Sequence, residues 1–221
     1  MKSDDKYDTM TSRIRPDAET LQKESGYRKI LELDFSDIIP FVISNIRKPG
    51  LSSLFYIIIN AASLLFIFFF ALWSVRTGQF SAGGVIWRIL AGLLAGSLLV
   101  IPPHELLHGL AYRILGARKI KFGVDFQQFI FYVTADHFPI SKRELAFLAM
   151  TPFVMINLVL ILITAVWVPQ ITLLSASLLL SHNVMCIGDF AMISYAYSHS
   201  HAVYTYDDTE KKKSYFFERE S

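Results

Sequence analysis

The sequence predicts a mainly α fold: a polytopic membrane bundle of about four spans with a small cytoplasmic β-hairpin. Apolar residues make up 53 % of the 221 positions, and mean hydropathy is +0.41. They are gathered in four runs, each near the roughly 20 residues that cross a bilayer, and one central stretch switches to period two. At this length a single module is expected, because one small bundle leaves no room for an independent soluble domain.

Residues 1–26 are polar, with Pro16, Gly26 and mixed charge but no apolar periodicity, and predict a mobile tail. In residues 27–50, Ile30, Leu31, Leu33, Phe35, Ile38, Phe41 and Val42 alternate with charged residues, which suits an amphipathic segment on the membrane surface with Pro40 limiting its helix. The spans of the membrane domain, residues 51–196, are expected at Leu51 to Trp73, Gly83 to about Leu107, Leu145 to Val168 and Ile171 to Tyr195. Because the first of them starts some fifty residues in, behind charged sequence, it is expected to serve as insertion signal in place of a cleavable peptide. Lys and Arg crowd the N-terminal segment, the loop from Arg113 to Arg143 and the end from Lys211 to Arg219. Basic residues stay inside, so both termini and the central loop are expected in the cytoplasm. Within that loop, about residues 119–134, Ile120, Phe122, Val124 and Phe126 alternate with polar residues and glycine, and Phe129 to Thr134 continues as a second strand. Such a pair could present an edge to an extended peptide, or simply cover the bundle mouth. Residues 197–221 are expected as a cytoplasmic charged tail.

The net charge of +2, without an aromatic-interleaved basic patch, argues against nucleic acid as a partner. Cys186 is the single cysteine, so no intrachain disulfide can form.

Chemistry concentrates at His104-Glu105-Leu106-Leu107-His108. Residues four apart on a helix are about 40° apart around the axis and roughly 6 Å along it, so His104 and His108 can reach one metal ion. Glu105 stands beside that face, placed to take a proton from the water such an ion activates. With 6 His in 221 residues, an HExxH arises by chance in roughly 0.6 % of such chains. A carboxylate near the hydrocarbon costs about 2.5–3.5 kcal/mol, which weighs against two histidines that merely pack. Pro102 and Pro103 predict a kink, with the motif's helix restarting behind them.

A catalytic zinc keeps three protein ligands and an open position, and depth ranks the candidates for the third. His104 lies roughly 30 Å along its span and Asp189 roughly 27 Å along the parallel fourth span. Asp189 therefore leads, with Glu144, at the start of the third span, as runner-up; pairing with Arg113 is its structural alternative. His182 falls roughly 10 Å shallower, too far to share the ion unless the helix breaks. Gly188 would permit close helix approach. Asn157 and Asn183 are candidates either for donating to an oxyanion or for joining helices.

Three stretches, HELLHG at His104 to Gly109, TPFVMIN at Thr151 to Asn157 and HNVMCIGDF at His182 to Phe190, make residues 84 to 196 resemble the site-2 protease class of intramembrane zinc metallopeptidases. More narrowly, the chain resembles small bacterial membrane proteins described as "putative zincin peptidases". The resemblance implies Zn2+ held by His104, His108 and Asp189. Thr151 stands where that class has glycine, the spacing from Pro152 to Asn157 is longer, Phe190 replaces a glycine, and no peptide-binding accessory domain is evident. The expected function is zinc-dependent cleavage of a membrane-embedded or membrane-adjacent peptide or protein near the cytoplasmic face of the lipid bilayer. The alternative is a non-proteolytic membrane protein with a closed zinc site that recruits Cys186 or His182. A di-iron oxidase would need more ligands than converge here.

Overall fold

The computed structural model describes residues 15–23, 26–125, 130–166 and 171–220. Most of the expected N-terminal tail, the tip of the central hairpin with Phe126 and Phe129, and the turn containing Val168 lie outside them. The long apolar runs become helices: α3 (Leu51–Arg76), α4 (Ala82–Leu98), α5 (Ile101–Ile114), α6 (Lys142–Val166), α7 (Thr172–Met185) and α8 (Ile187–Tyr197). Two, α3 and α6, are each long and apolar enough to cross a membrane, and there are up to four such spans if α4 with α5 and α7 with α8 each count as one bent span. Leu64, Leu65, Phe68 and Phe69 of α3 and Leu158, Ile161 and Leu162 of α6 are exposed. Helices apolar on their outward faces require a non-aqueous surround, so the structure is consistent with a membrane protein.

Two spans are bent. Pro102 and Pro103 occupy the first turn of α5, where a missing N–H costs no helical bond, and α5 departs from α4 by 40°. The fourth run breaks at Cys186, and α8 departs from α7 by 41°. The close approach expected at Gly188 occurs elsewhere. A Cβ on Gly188 would meet nothing within 4 Å, whereas one on Gly96 would sit 2.6 Å from Ser181 Cβ and 2.7 Å from the Leu178 carbonyl oxygen. Gly92 meets Ser177 of α7 in the same way. Gly92 and Gly96 form a small-xxx-small stripe that lets α4 lie against α7, where Ser97 and Ser181 hydroxyls meet at 2.9 Å.

Strands make up more of the fold than a single hairpin. β2 (Ile120–Asp125) and β3 (Ile130–Ala135) pair antiparallel, Ile120 opposite Ala135. A second, four-stranded sheet has the order β1-β6-β5-β4, from β1 (Tyr27–Asp34), β4 (Ile140–Ser141), β5 (Val203–Asp208) and β6 (Lys213–Arg219). The expected surface segment therefore begins as a strand, pairing Tyr27 with Arg219, before α2 (Ile38–Ile46) takes up its amphipathic part with Pro40 in the first turn. The expected charged tail is a hairpin whose Tyr206, Tyr215 and Phe217 are buried. Its turn is capped by the Asp208 carboxylate, which accepts from the Lys211 N–H at 3.0 Å. Residues 18–23 form α1 (Ala18–Lys23), with Leu21 buried on that sheet. Because β1 precedes α2 and α3, β4 leads into α6 and β5 follows α8, one sheet gathers the N-terminal flank, the central segment and the C-terminal segment beside the helices.

Asp207 of β5 accepts from the Ser214 hydroxyl at 2.6 Å, and burial, reinforced by neighbouring Asp136, pushes its carboxyl up to about 6.

Candidate metal centre

The ring of His104, near the start of α5, is wedged at the break between α7 and α8. Its Nε2 lies 3.1 Å from His108 Nε2 and 3.4 Å from Asp189 Oδ2, and His108 Nε2 lies 3.3 Å from Asp189 Oδ1. Ligand atoms about 2.0–2.1 Å from a tetrahedral ion are about 3.3 Å apart. His104 approaches one oxygen of the Asp189 carboxylate and His108 the other, each at a separation close to that of two ligand atoms on one zinc ion. Asp189 Oδ2 is buried and has no hydrogen-bond partner among the described residues, a costly state for a carboxylate oxygen unless a cation engages it. The donor set therefore fits zinc.

His108 is oriented from behind. Its Nδ1 lies 3.2 Å from the Leu148 carbonyl oxygen of α6. A carbonyl can only accept, so Nδ1 carries the proton and Nε2 keeps its lone pair for a metal. That carbonyl is available for a local reason. The residue four positions on, which would donate to it in an α-helix, is Pro152, inside α6 and without an N–H.

His104, Glu105, His108 and Asp189 all line a cavity of about 430 Å³ between the bundle and the sheets. Its other walls include Ile38 and Val42 of α2, Phe131 to Thr134 of β3, and Asp207 of β5. The three prospective ligands thus sit at the edge of a space with room for a peptide segment, and Glu105 shares that space.

The remaining candidates lie elsewhere. The Glu144 carboxylate accepts from the Ser141 N–H at 2.8 Å and pairs with Arg15, capping α6 away from the histidines. Arg113 donates to the carbonyls of Ala117 and Arg118, not to Asp189. Asn157 donates its amide to Asn183 Oδ1 at 2.8 Å and to the Phe153 carbonyl at 2.7 Å, joining α6 to α7, and neither asparagine lines the cavity. His182, set aside on depth, is corrected by the break: its Nε2 lies 3.2 Å from His104 Nδ1, with Cys186 Sγ 3.6 Å away. His104, His182 and Cys186 form a second, wholly buried group of possible ligand atoms. The seven-residue spacing from His182 to Asp189 was the available signal, since a bend lets both face one ring. A third group, Asp136, His137 and Asp208, lies on the sheet, where Lys121 at 3.0 Å and Lys211 at 3.2 Å already pair with its acids.

Residues 97–204 match the model of a protein family described as "Putative zincin peptidase". The matched stretch covers the HELLH helix, His182 and Asp189, and the similarity supports a zinc-dependent peptidase. No curated protein and no solved structure matches the chain.

Proposed function

We propose that this chain is an intramembrane zinc endopeptidase of the site-2 type, hydrolysing a membrane-embedded or membrane-adjacent peptide near the cytoplasmic face of the bilayer. The observation that carries the reading is the cluster of His104 Nε2, His108 Nε2 and the two Asp189 carboxylate oxygens, with separations of 3.1 to 3.4 Å, beside Glu105 on a cavity in an apolar bundle. His104, His108 and Asp189 would hold the ion. Bound there, zinc supplies a Lewis acid that polarises the scissile carbonyl and acidifies water. Glu105 takes one proton from the attacking water as the new C–O bond forms, and returns it to the amide nitrogen as the C–N bond breaks. β3 borders the cavity along Phe131 to Thr134, so an extended substrate could add to that edge through main-chain hydrogen bonds. Both termini would face the cytoplasm, since one sheet joins the two flanks and those flanks are basic.

The test is Glu105→Gln in the detergent-purified full chain, assayed for cleavage of a panel of transmembrane peptides together with zinc content. Wild type should cleave; the variant should lose cleavage by at least about 100-fold while keeping its zinc. Cleavage that persists in Glu105→Gln would sink the mechanism.

A further inference from the structure

Resting on that reading, we propose that His182 is a positioning residue that holds the His104 ligand in its metal-binding tautomer. A zinc on Nε2 of a neutral imidazole leaves the proton on Nδ1, which then needs an acceptor. His104 Nδ1 faces His182 Nε2 at 3.2 Å, and both residues are buried, His182 completely. His182 Nε2 is therefore the acceptor. The other ring nitrogen of His182 has no partner among the described residues. An imidazole with one nitrogen unsatisfied in an apolar interior is expensive to keep; its polar contacts run to His104 and to the Cys186 thiol.

The competing arrangement uses the same atoms differently. His104 Nδ1, His182 Nε2 and Cys186 Sγ could themselves hold an ion in a closed site. Two features favour the positioning role. His182 and Cys186 do not line the cavity, so an ion there would lack an open position reachable by substrate. In addition, His108 already has its Nδ1 engaged by Leu148, so its Nε2 faces His104 Nε2 as a metal ligand would. His182 then does for His104 what the carbonyl freed by Pro152 does for His108. Each histidine ligand is oriented by a different helix, His104 by α7 and His108 by α6.

The experiment measures zinc affinity of the full chain in detergent by chelator competition, and the absorption spectrum of the cobalt(II)-substituted protein. The variants are His182→Phe, His182→Gln and Cys186→Ala, with helical content and elution volume as folding controls. His182→Phe fills the space without an acceptor and should weaken zinc binding about 10–100-fold. His182→Gln, whose amide oxygen can accept at the same place, should recover most of that loss, which a role in packing alone would not produce. Cys186→Ala should leave affinity and the cobalt spectrum unchanged. Wild-type affinity in a folded His182→Phe, or no recovery in His182→Gln, overturns the positioning role. A thiolate-to-cobalt charge-transfer band that vanishes in Cys186→Ala also overturns it, by making His182 and Cys186 the ligands. A wild-type chain that takes up no zinc overturns the peptidase reading itself, and the inference with it.

Discussion

The two bent helix pairs and the two long straight helices are built from similar apolar residues, yet the prospective metal ligands all come from the bent pairs. α3 and α6 run unbroken and expose large aliphatic and aromatic side chains along much of their length. The pairs α4–α5 and α7–α8 turn by 40° and 41°, with His104 and Asp189 each just past the break. A straight helix advances about 1.5 Å per residue, so His182 and Asp189 on one unbroken α7–α8 would sit roughly 10 Å apart along its axis. The break lets them flank one imidazole. Irregular backbone in an apolar bundle is tolerated where it lines a cavity, and both breaks border the cavity or its ligands. The straight helices contribute in a supporting way: α6 lends a carbonyl, and α3 packs its few buried polar residues against α7 and α8, as Ser53 does with Ser194 at 3.2 Å.

The largest expected effect comes from forcing the bent pairs apart. Gly96→Leu places its first side-chain carbon within 2.6 Å of Ser181 Cβ, and α4 can leave α7 only by disrupting the scaffold behind His104. Loss of stability of about 3 kcal/mol or more and loss of zinc are expected, read by thermal unfolding in detergent and metal analysis. An equally stable Gly96→Leu would mean that the helices do not meet there. Next comes the contrast between ligand candidates on a bent and a straight helix. Asp189→Ala should empty the site, whereas Glu144→Ala should retain about one zinc per chain and lose only about 1 kcal/mol through its lost cap. The reverse outcome would move the third ligand to α6. Pro152→Ala separates scaffold from site within a straight helix. A restored N–H at position 152 competes with His108 for the Leu148 carbonyl, so zinc affinity should fall about tenfold while the stability of the metal-free protein does not. Unchanged zinc affinity would show that this carbonyl does not orient His108.

A further effect of similar size to the lost cap lies on the sheet, at Asp207. Its folded-state carboxyl is raised from 3.8 to about 6, so the native state binds its proton more tightly than the unfolded chain does. That contribution is complete below about pH 4 and is lost as pH rises through about 6. Asp207→Asn should remove this pH dependence and gain about 1–2 kcal/mol at pH 8 relative to wild type, after allowance for solvent at its partly exposed edge. Chemical denaturation at pH 5 and pH 8 reads it, and parallel pH profiles for the two proteins would refute the assignment.

Local and depth-dependent features were legible in the amino-acid order. Two histidines four apart and the prolines before them act within one or two helical turns, and the alternation of residues 120–124 registers directly as β2. Asp189 was reachable because depth along parallel spans depends only on counting residues. The C-terminal hairpin also left a sign, since Val203 to Tyr206 and Ser214 to Phe217 are β-branched and aromatic runs around a polar turn, but the surrounding charge masked it. Other features had no local signature. That β1 pairs with β6 joins residues about 190 apart in sequence, and no periodicity records such a partner. That Asn157 meets Asn183, and that Gly92 and Gly96 rather than Gly188 are points of close helix approach, depends on which faces of two helices meet. Above all, the place of His182 followed from a break at Cys186 that residue counting treats as straight helix. The sequence by itself determined that two histidines four apart could share one metal ion and that the long apolar runs form helices, because both follow from spacing along one chain. Only the tertiary structure decided what stands behind each ligand, because that depends on the angle at which separate helices cross.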